Sequence, residues 1–455
     1  MAALKVILTL AVVALLLYAI SKKFQASTVL LGIGIVTIII YSLVTKQAVG
    51  TSGNWFIDVF ELVKSKFTSQ LSGSGFLIMS VMGFVKYMDR IKASKLLALY
   101  ASKPLKKFGK PYLAAGIGIL IAAVIKLCIP SHSGLAALLM ATMYPILVAA
   151  GLPTATAAAA VLLGGGFDLG PACPITTWAV GQEEVAKLTD VANFFVNYQL
   201  ARTFIMVLIA AAIFVFLTKK QDEKDGFKGV VSDEEIDPKS LGVPGFYCLF
   251  PLIPLVLVIV FSSLFNTGIT ISVPAANFIA FIIALVIDLI CRKTGKVQAF
   301  NDTDDFWKGM GTSFASVVAL IGAAAVFSAA IGYIGGTDVL MNALQGSSLG
   351  GAIVVIVAAL LNFAIAFITG SGVASSYAVL PMLYGPVAAT GADLLIVVFA
   401  IVVSGGLGRA ISPVSGATII VAGGSGNEVT DITKRTMVPT LVAIVVMIVM
   451  AVVAL

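Results

Sequence analysis

The chain has 455 residues, of which 59% are hydrophobic and only 11% charged, and its formal net charge is +7 at pH 7. A soluble domain carries roughly 25% charged residues, so this chain cannot cover itself with a water-facing surface. Its mean hydropathy of +1.07 points to lipid as the solvent, where only helices or closed barrels satisfy the backbone. Apolar runs this long and unalternating exclude a barrel.

The expected class is therefore all-α and polytopic. The first apolar run, 4–20, has Lys22 and Lys23 after its apolar core and shows no small-residue cleavage site. It reads as a retained span, not a signal peptide. Further full spans are expected near 26–44, 73–91, 191–218, 242–265, 271–291, 311–334 and 431–454, each close to the ~20 residues that cross a bilayer. The stretches 54–68 and 93–107 mix charge with apolar residues at helical spacing, as interfacial helices do. Residues 219–241 read as a hydrophilic connector of alternating charge. Cys128, Cys173, Cys248 and Cys291 lie inside or at the ends of apolar runs with no paired spacing. They read as reduced packing residues, and neither a disulfide frame, a metal site nor a bound cofactor is expected.

Two longer regions, 111–182 and 349–424, are broken by Gly, Pro and Ser. In the first, "CIPSHSG" is followed by "MYPILVAAG" and "GGGFDLGPACPITTWAVG"; in the second, "FITGSGV" is followed by "LYGPVAATG" and "SGGLGRAISPVSGATIIVAG". Each runs apolar arm, polar tip, apolar arm, turn, span, break and half-span. The basic residues give an independent view. The loops at 21–24, 86–110, 219–241 and 292–308 and a turn at 434–435 hold most of the 29 Lys and Arg. If all face the cytoplasm, the broken regions must turn back near 130–134 and 369–372 from opposite sides, which puts both termini outside. Two inverted repeats, each with a re-entrant hairpin and a broken helix, are a recurrent secondary-transporter plan. Small residues that merely allow close helix packing explain one such cluster better than four in matched order. The expected organisation is N-terminal scaffold spans and an interfacial helix over 1–72, and a first repeat over 73–218 with hairpin 111–150 and broken helix 154–182. A cytoplasmic connector follows over 219–241, then scaffold spans and a linker over 242–310. The second repeat covers 311–455, with hairpin 349–388 and broken helix 390–424.

A helix that stops inside the membrane leaves N–H or C=O groups unpaired, at a cost of a few kcal/mol each. Helix N-termini that converge on one point make an anion site, and Ser or Thr hydroxyls add neutral donors. The first-repeat candidates are Ser131, His132, Ser133 and Gly134 at the tip, with Pro171 and Thr176 at the break. Ionisable groups inside a membrane are functional candidates by default. Arg409, four residues before Pro413, either caps free carbonyls or meets a carboxylate, for which its fork is suited. Asp168, three residues before Pro171, has four open roles: pairing with Arg409, binding a cation, carrying a coupling proton, or ending a helix. His132, the single histidine, either carries a proton or stays neutral and donates one hydrogen bond to substrate or backbone. Lys126 either pairs with a nearby acid or offers a counter-charge to substrate.

At "ITGSGVASSYA", "LGRAISPVSG" and "AGGSGNEVTDITKRTMVP" the chain resembles the anaerobic C4-dicarboxylate carrier family of DcuC type, within the wider ion transporter superfamily of elevator carriers. The resemblance runs through most of the chain and is strongest over 362–440. It implies a carrier of dicarboxylates such as succinate and fumarate, built as a homodimer of fixed scaffolds, each with a mobile transport domain. It also implies a bacterial inner-membrane location. Carried over by position, it places substrate at Thr369, Gly370, Ser371 and Gly372 and at Ser412, Pro413, Val414, Ser415 and Gly416. The first-repeat tip "PSHSG" and break "GPACPITT" depart from the family pattern, and a basic-amino-acid exchanger of the same broad family is the alternative. The coupling ion stays open between a proton and sodium. Other classes fit less well. No phosphate-cradling G-x-x-x-x-G-K-[ST] occurs for an ATP-driven pump, and a channel needs no matched breaks. For an intramembrane enzyme, His132 with Ser131 or Ser133 is the single base–nucleophile candidate. The net charge suits basic loops and does not argue for nucleic acid.

Overall fold

The computed structural model describes residues 2–22, 24–47, 49–108, 110–225, 237–262, 265, 267–291, 295–335 and 350–455. Among them the regular structure is helical throughout, with no β-strand. Among the described residues six helices are long and apolar enough to cross a membrane: Ala26–Thr45, Val191–Lys224, Val273–Cys291, Lys296–Ile334, Gly350–Thr369 and Val429–Val453.

The two broken regions fold alike. In the first, Pro111–Lys126 leads to a tip, and His132–Met140 and Met143–Ala149 return from it. The break then separates Thr154–Gly164 from Pro174–Val180. In the second, Gly350–Thr369 leads to a tip, Gly372–Val379 and Tyr384–Thr390 return, and the break separates Leu394–Ala410 from Gly416–Ser425. The reason is local. Proline and glycine end each outgoing arm, and a serine side chain then caps the next helix. Ser131, Ser371 and Ser415 accept from the backbone N–H of Gly134, Ala374 and Thr418 respectively. At the fourth start Cys173 supplies no side-chain cap, and Pro174 holds the first helical position, where no N–H is needed.

The halves interlock. The return arm His132–Met140 of the first repeat packs on Gly416–Ser425 of the second, and Gly372–Val379 packs on Pro174–Val180. The broken helices cross closely: a Cβ on Gly406 would stand 2.5 Å from the Gly166 carbonyl oxygen and 2.9 Å from Asp168 Oδ2. Gly370 turns the second tip with φ +71°, a conformation that glycine adopts without steric cost. A separate aromatic core joins Phe76–Arg90, Gly245–Leu252, Val273–Cys291 and Asp304–Ser313 through Phe84, Tyr87, Tyr247, Phe281 and Phe306.

Several expected elements change. The 242–265 span is a 3₁₀ turn, Gly245–Leu252, followed by the short helix Ile253–Val260, because Pro251 and Pro254 cannot donate to the ladder. The helix Trp55–Gln70 is present as expected but continues through a π-helical turn, Leu71–Gly75, into Phe76–Arg90. Ala93–Ser102 is helical as expected and buries Leu96, Ala98 and Leu99 against Gly245–Leu252. The connector begins late, since Ala201–Asp225 continues about two turns of charge into it; its stretch 226–236 lies outside the described residues, as do 292–294 of the basic 292–308 loop and residues 336–349.

The expected turn at 434–435 is helical, and Arg435 is buried at 1% exposure. Its Nη2 and Nε donate to Asp222 Oδ1 at 2.6 and 3.1 Å. Asp222 Oδ2 accepts from Thr156 at 2.5 Å and from Tyr112 at 3.1 Å. Four helices are thereby tied at one point, which is why two charged residues from hydrophilic-looking sequence sit in the interior.

Candidate functional site

The two tips and two breaks surround one cavity of about 250 Å³. Pro130, Ser131, His132 and Ser133 face it from the first tip, and Gly370, Ser371 and Val373 from the second. The first break contributes Asp168, Cys173, Pro174 and Ile175; the second contributes Arg409, Gly416 and Ala417. Four helix starts therefore point at one volume. First-turn N–H groups have no partner within their own helix, and the axial dipole favours negative charge at that end. The halves meet here, since a Cβ on Gly416 would lie 2.9 Å from Ser133 Oγ.

The charges are concentrated. Arg409 Nη2 donates to both carboxylate oxygens of Asp168 at 2.7 Å, and Lys126 Nζ stands 3.3 Å from Asp168 Oδ1. The Lys126 and Asp168 side chains are 0% and 2% exposed, and that of Arg409 11%. Of the four open roles for Asp168, pairing with Arg409 is the one the geometry displays, and Lys126 is paired to the same acid. Two cations on one carboxylate leave one positive charge to be matched. Arg409 Nε makes no hydrogen bond among the described residues.

His132 is 3% exposed. Its Nε2 lies 3.2 Å from the Leu162 carbonyl oxygen, so the hydrogen bond it donates goes to backbone. Its Nδ1 has no partner among the described residues.

The remaining candidates do not line the cavity. The Gly134 N–H is used by Ser131. Pro171 faces a separate apolar pocket with Leu127, Cys128 and Val258. Thr176 is turned away, accepting at 3.0 Å from Gln199, whose Oε1 in turn accepts from the Gly170 N–H. Thr369 Oγ1 accepts from the Ser371 N–H at 3.2 Å, which shapes the tip. Gly372 backs onto the Gly405 carbonyl. Ser412 accepts through its carbonyl from Thr418 Oγ1 at 2.8 Å, and Ser415 caps the following helix; Pro413 and Val414 are exposed. These residues hold the loops that present the cavity-facing groups.

Three lining residues come from outside the predicted tips and breaks, whereas Pro130, Cys173, Pro174, Ile175, Val373 and Ala417 lie within those motifs without having been named for the site. Met82 comes from Phe76–Arg90, and Ser316 and Val317 come from the π-helical turn Phe314–Val318. A serine in mid-span was the one available signal for Ser316; a π-helical turn has no comparable sequence mark. Among the described residues no cluster of three His, Cys, Asp or Glu could hold a metal ion, and the four cysteines are free.

Known proteins resemble this chain over most of its length. The probable anaerobic C4-dicarboxylate transporter DcuC of Vibrio cholerae is 29% identical over 443 residues, covering 95% of this chain and 94% of its own. DcuC of Escherichia coli K12 is 28% identical over 434 residues, covering 94% and 92%. Among solved structures, Neisseria gonorrhoeae MtrF, described as one of a class of antimetabolite efflux pumps, superposes with a TM-score of 0.63 at 17% identity, over 96% of both chains. The Alcanivorax borkumensis YdaH transporter, described as having an unusual topology, gives 0.60 at 14%, over 94% of this chain and 98% of its own. At those identities the structures speak for the fold alone. The family model for DcuC, the C4-dicarboxylate anaerobic carriers, matches residues 4–455, and the chain belongs to that family.

Proposed function

We propose that the protein is a secondary carrier of C4-dicarboxylates of the succinate, fumarate and malate type in the bacterial inner membrane. In this reading the two tips and two breaks enclose the substrate, and the part that carries them slides against a scaffold built on the aromatic core, with two copies forming a homodimer. One observation carries the proposal: four helix starts and the Arg409 guanidinium face a single cavity. One substrate carboxylate takes the part of the Arg409 guanidinium that stays open beside its pair with Asp168. The other takes the N–H groups and hydroxyls at the tips.

The charge state also bears on coupling. A dianion that leaves a cell negative inside gains about 4.6 kcal/mol per 100 mV, from about 2.3 per charge. Asp168, the acid on the cavity, is already held by Arg409 and Lys126, so it offers no open carboxylate to a coupling cation. Exchange of one dicarboxylate for another moves no net charge and needs none. The same pairing disfavours a basic amino acid as substrate, since its side chain would meet an excess of positive charge.

The test is counterflow of radiolabelled succinate in proteoliposomes that hold the purified protein. Saturable counterflow is expected, and Arg409→Ala should reduce it to background while the protein still purifies as a folded species. Counterflow with normal apparent affinity in Arg409→Ala would remove Arg409 from substrate contact. Absence of counterflow in the unmodified protein would overturn the carrier reading for these substrates.

A further inference from the structure

His132 opens the return arm of the first hairpin and faces the cavity together with Arg409 and Asp168. A backbone carbonyl only accepts hydrogen bonds, so the contact with Leu162 at 3.2 Å fixes the proton on Nε2. The Cδ2–Nε2 edge is also closed off by backbone, since a Cβ on Gly165 would stand 2.9 Å from Cδ2 and 3.3 Å from Nε2. Nδ1 is thereby left as a lone pair on the opposite edge, buried and unpartnered among the described residues. Buried acceptors in native proteins almost always have a donor, and leaving one bare is costly.

The rest of the cavity supplies the reverse chemistry. Arg409, the serine hydroxyls and the helix starts are donors, which suits carboxylate oxygens. A fully ionised, unsubstituted dicarboxylate has nothing to donate to Nδ1. We infer that Nδ1 of His132 accepts a hydrogen bond from an O–H group on the substrate, so that it acts as a specificity-determining residue. The preferred cargo is then a C4-dicarboxylate that bears a 2-hydroxyl, as malate does, or one that binds with a carboxyl still protonated. An ammonium group is disfavoured, because the Lys126–Asp168–Arg409 cluster already carries one positive charge in excess. This inference rests on the carrier reading above and deepens it.

The full-length protein in proteoliposomes decides it by competition of L-malate and succinate against labelled succinate, at about pH 7.5 and about pH 5.5. If the donor is a hydroxyl, malate outcompetes succinate at both pH values. If it is a protonated carboxyl, succinate competes better at the lower pH. Two variants then separate recognition from packing. His132→Gln places an amide nitrogen near the position of Nε2 and keeps the bond to Leu162, but removes the acceptor. His132→Asn places a carbonyl oxygen near the position of Nδ1 and keeps the acceptor. His132→Gln should lower the preference for the O–H-bearing form by about threefold to tenfold, the worth of one net hydrogen bond, whereas His132→Asn should retain most of it. The inference is overturned if His132→Gln shows the unmodified protein's ratio. It is also overturned if the unmodified protein shows neither a malate preference nor a low-pH gain, a result that needs no variant to fold. No exchange of either compound by the unmodified protein would instead overturn the carrier reading on which it stands.

Discussion

The polar groups of the first tip and break include three that are ionic or titratable, Lys126, His132 and Asp168, all buried, beside the neutral Ser131 and Ser133. At the second, Arg409 aside, they are neutral. Asn362 donates to Ser376 Oγ, the Ile401 carbonyl and Ser404 Oγ at 3.2, 2.8 and 3.0 Å, and the loops are tied by Thr369, Ser371, Ser412, Ser415 and Thr418 among themselves. Asp168 and Arg409 hold nearly equivalent places in the inverted repeats, each just after or within the end of the first half of a broken helix. One repeat thus offers an acid where the other offers a base, and the pseudo-twofold relation brings them to 2.7 Å. The shared backbone plan makes a pocket for an anion; the unequal side chains give it polarity, one end cationic and the other lined by neutral donors.

The largest expected effect comes from removal of the acid. Asp168→Ala leaves two buried cations, Lys126 and Arg409, without their counter-charge. Loss of one partner of a buried pair costs about 3–5 kcal/mol, so the thermal midpoint in detergent should fall by many degrees. Lys126→Met in the same background should recover part of the loss, because one unmatched cation is removed. Unchanged thermal behaviour in Asp168→Ala would mean that Asp168 is not the hub of the charge cluster.

Removal of the neutral hub should cost less. Asn362 is fully buried, at 0% exposure, and is not on the cavity. Asn362→Ala leaves two hydroxyls that still reach the Ile401 carbonyl, Ser376 at 3.4 Å and Ser404 at 3.2 Å. The expected loss is about 1–3 kcal/mol, that of a buried polar group deprived of partners. It should appear as lowered thermal stability with unchanged apparent affinity for succinate. A rise in apparent Km without a stability change would place Asn362 at the substrate.

The contrast also explains what could be read from the sequence. The tips and breaks were legible because Pro, Gly and capping Ser carry their local geometry in their own chemistry. Arg409, Asp168 and Lys126 were legible because charge inside an apolar run is rare, although their mutual pairing, with Asp168 and Arg409 241 positions apart, is a property of the packed fold. The Arg435–Asp222 tie was hidden for the opposite reason: both residues stand in charged sequence that resembles a cytoplasmic loop. Thr176 was misplaced because its partner, Gln199, comes from a different helix and carries no periodic signal. The direction of the His132 hydrogen bond likewise required the Leu162 carbonyl to be seen beside the ring.

The smallest effect tests the tips directly. Ser131 and Ser371 occupy equivalent caps, accepting from Gly134 and Ala374 at 3.1 Å in both cases. Removal of a capping hydroxyl costs about 1 kcal/mol, so Ser131→Ala and Ser371→Ala should lose similar stability if capping were the whole of their role. The surroundings differ, however. Ser371 is backed by the second local bond from its own N–H to Thr369 Oγ1, whereas Ser131 stands next to His132 in the chain, on the same cavity. Equal losses of stability combined with a larger drop in succinate affinity for Ser131→Ala would place the polar recognition on the first tip. Equal losses of affinity would mean that the two tips hold the substrate symmetrically, and that the inequality between the repeats resides in the charge cluster alone.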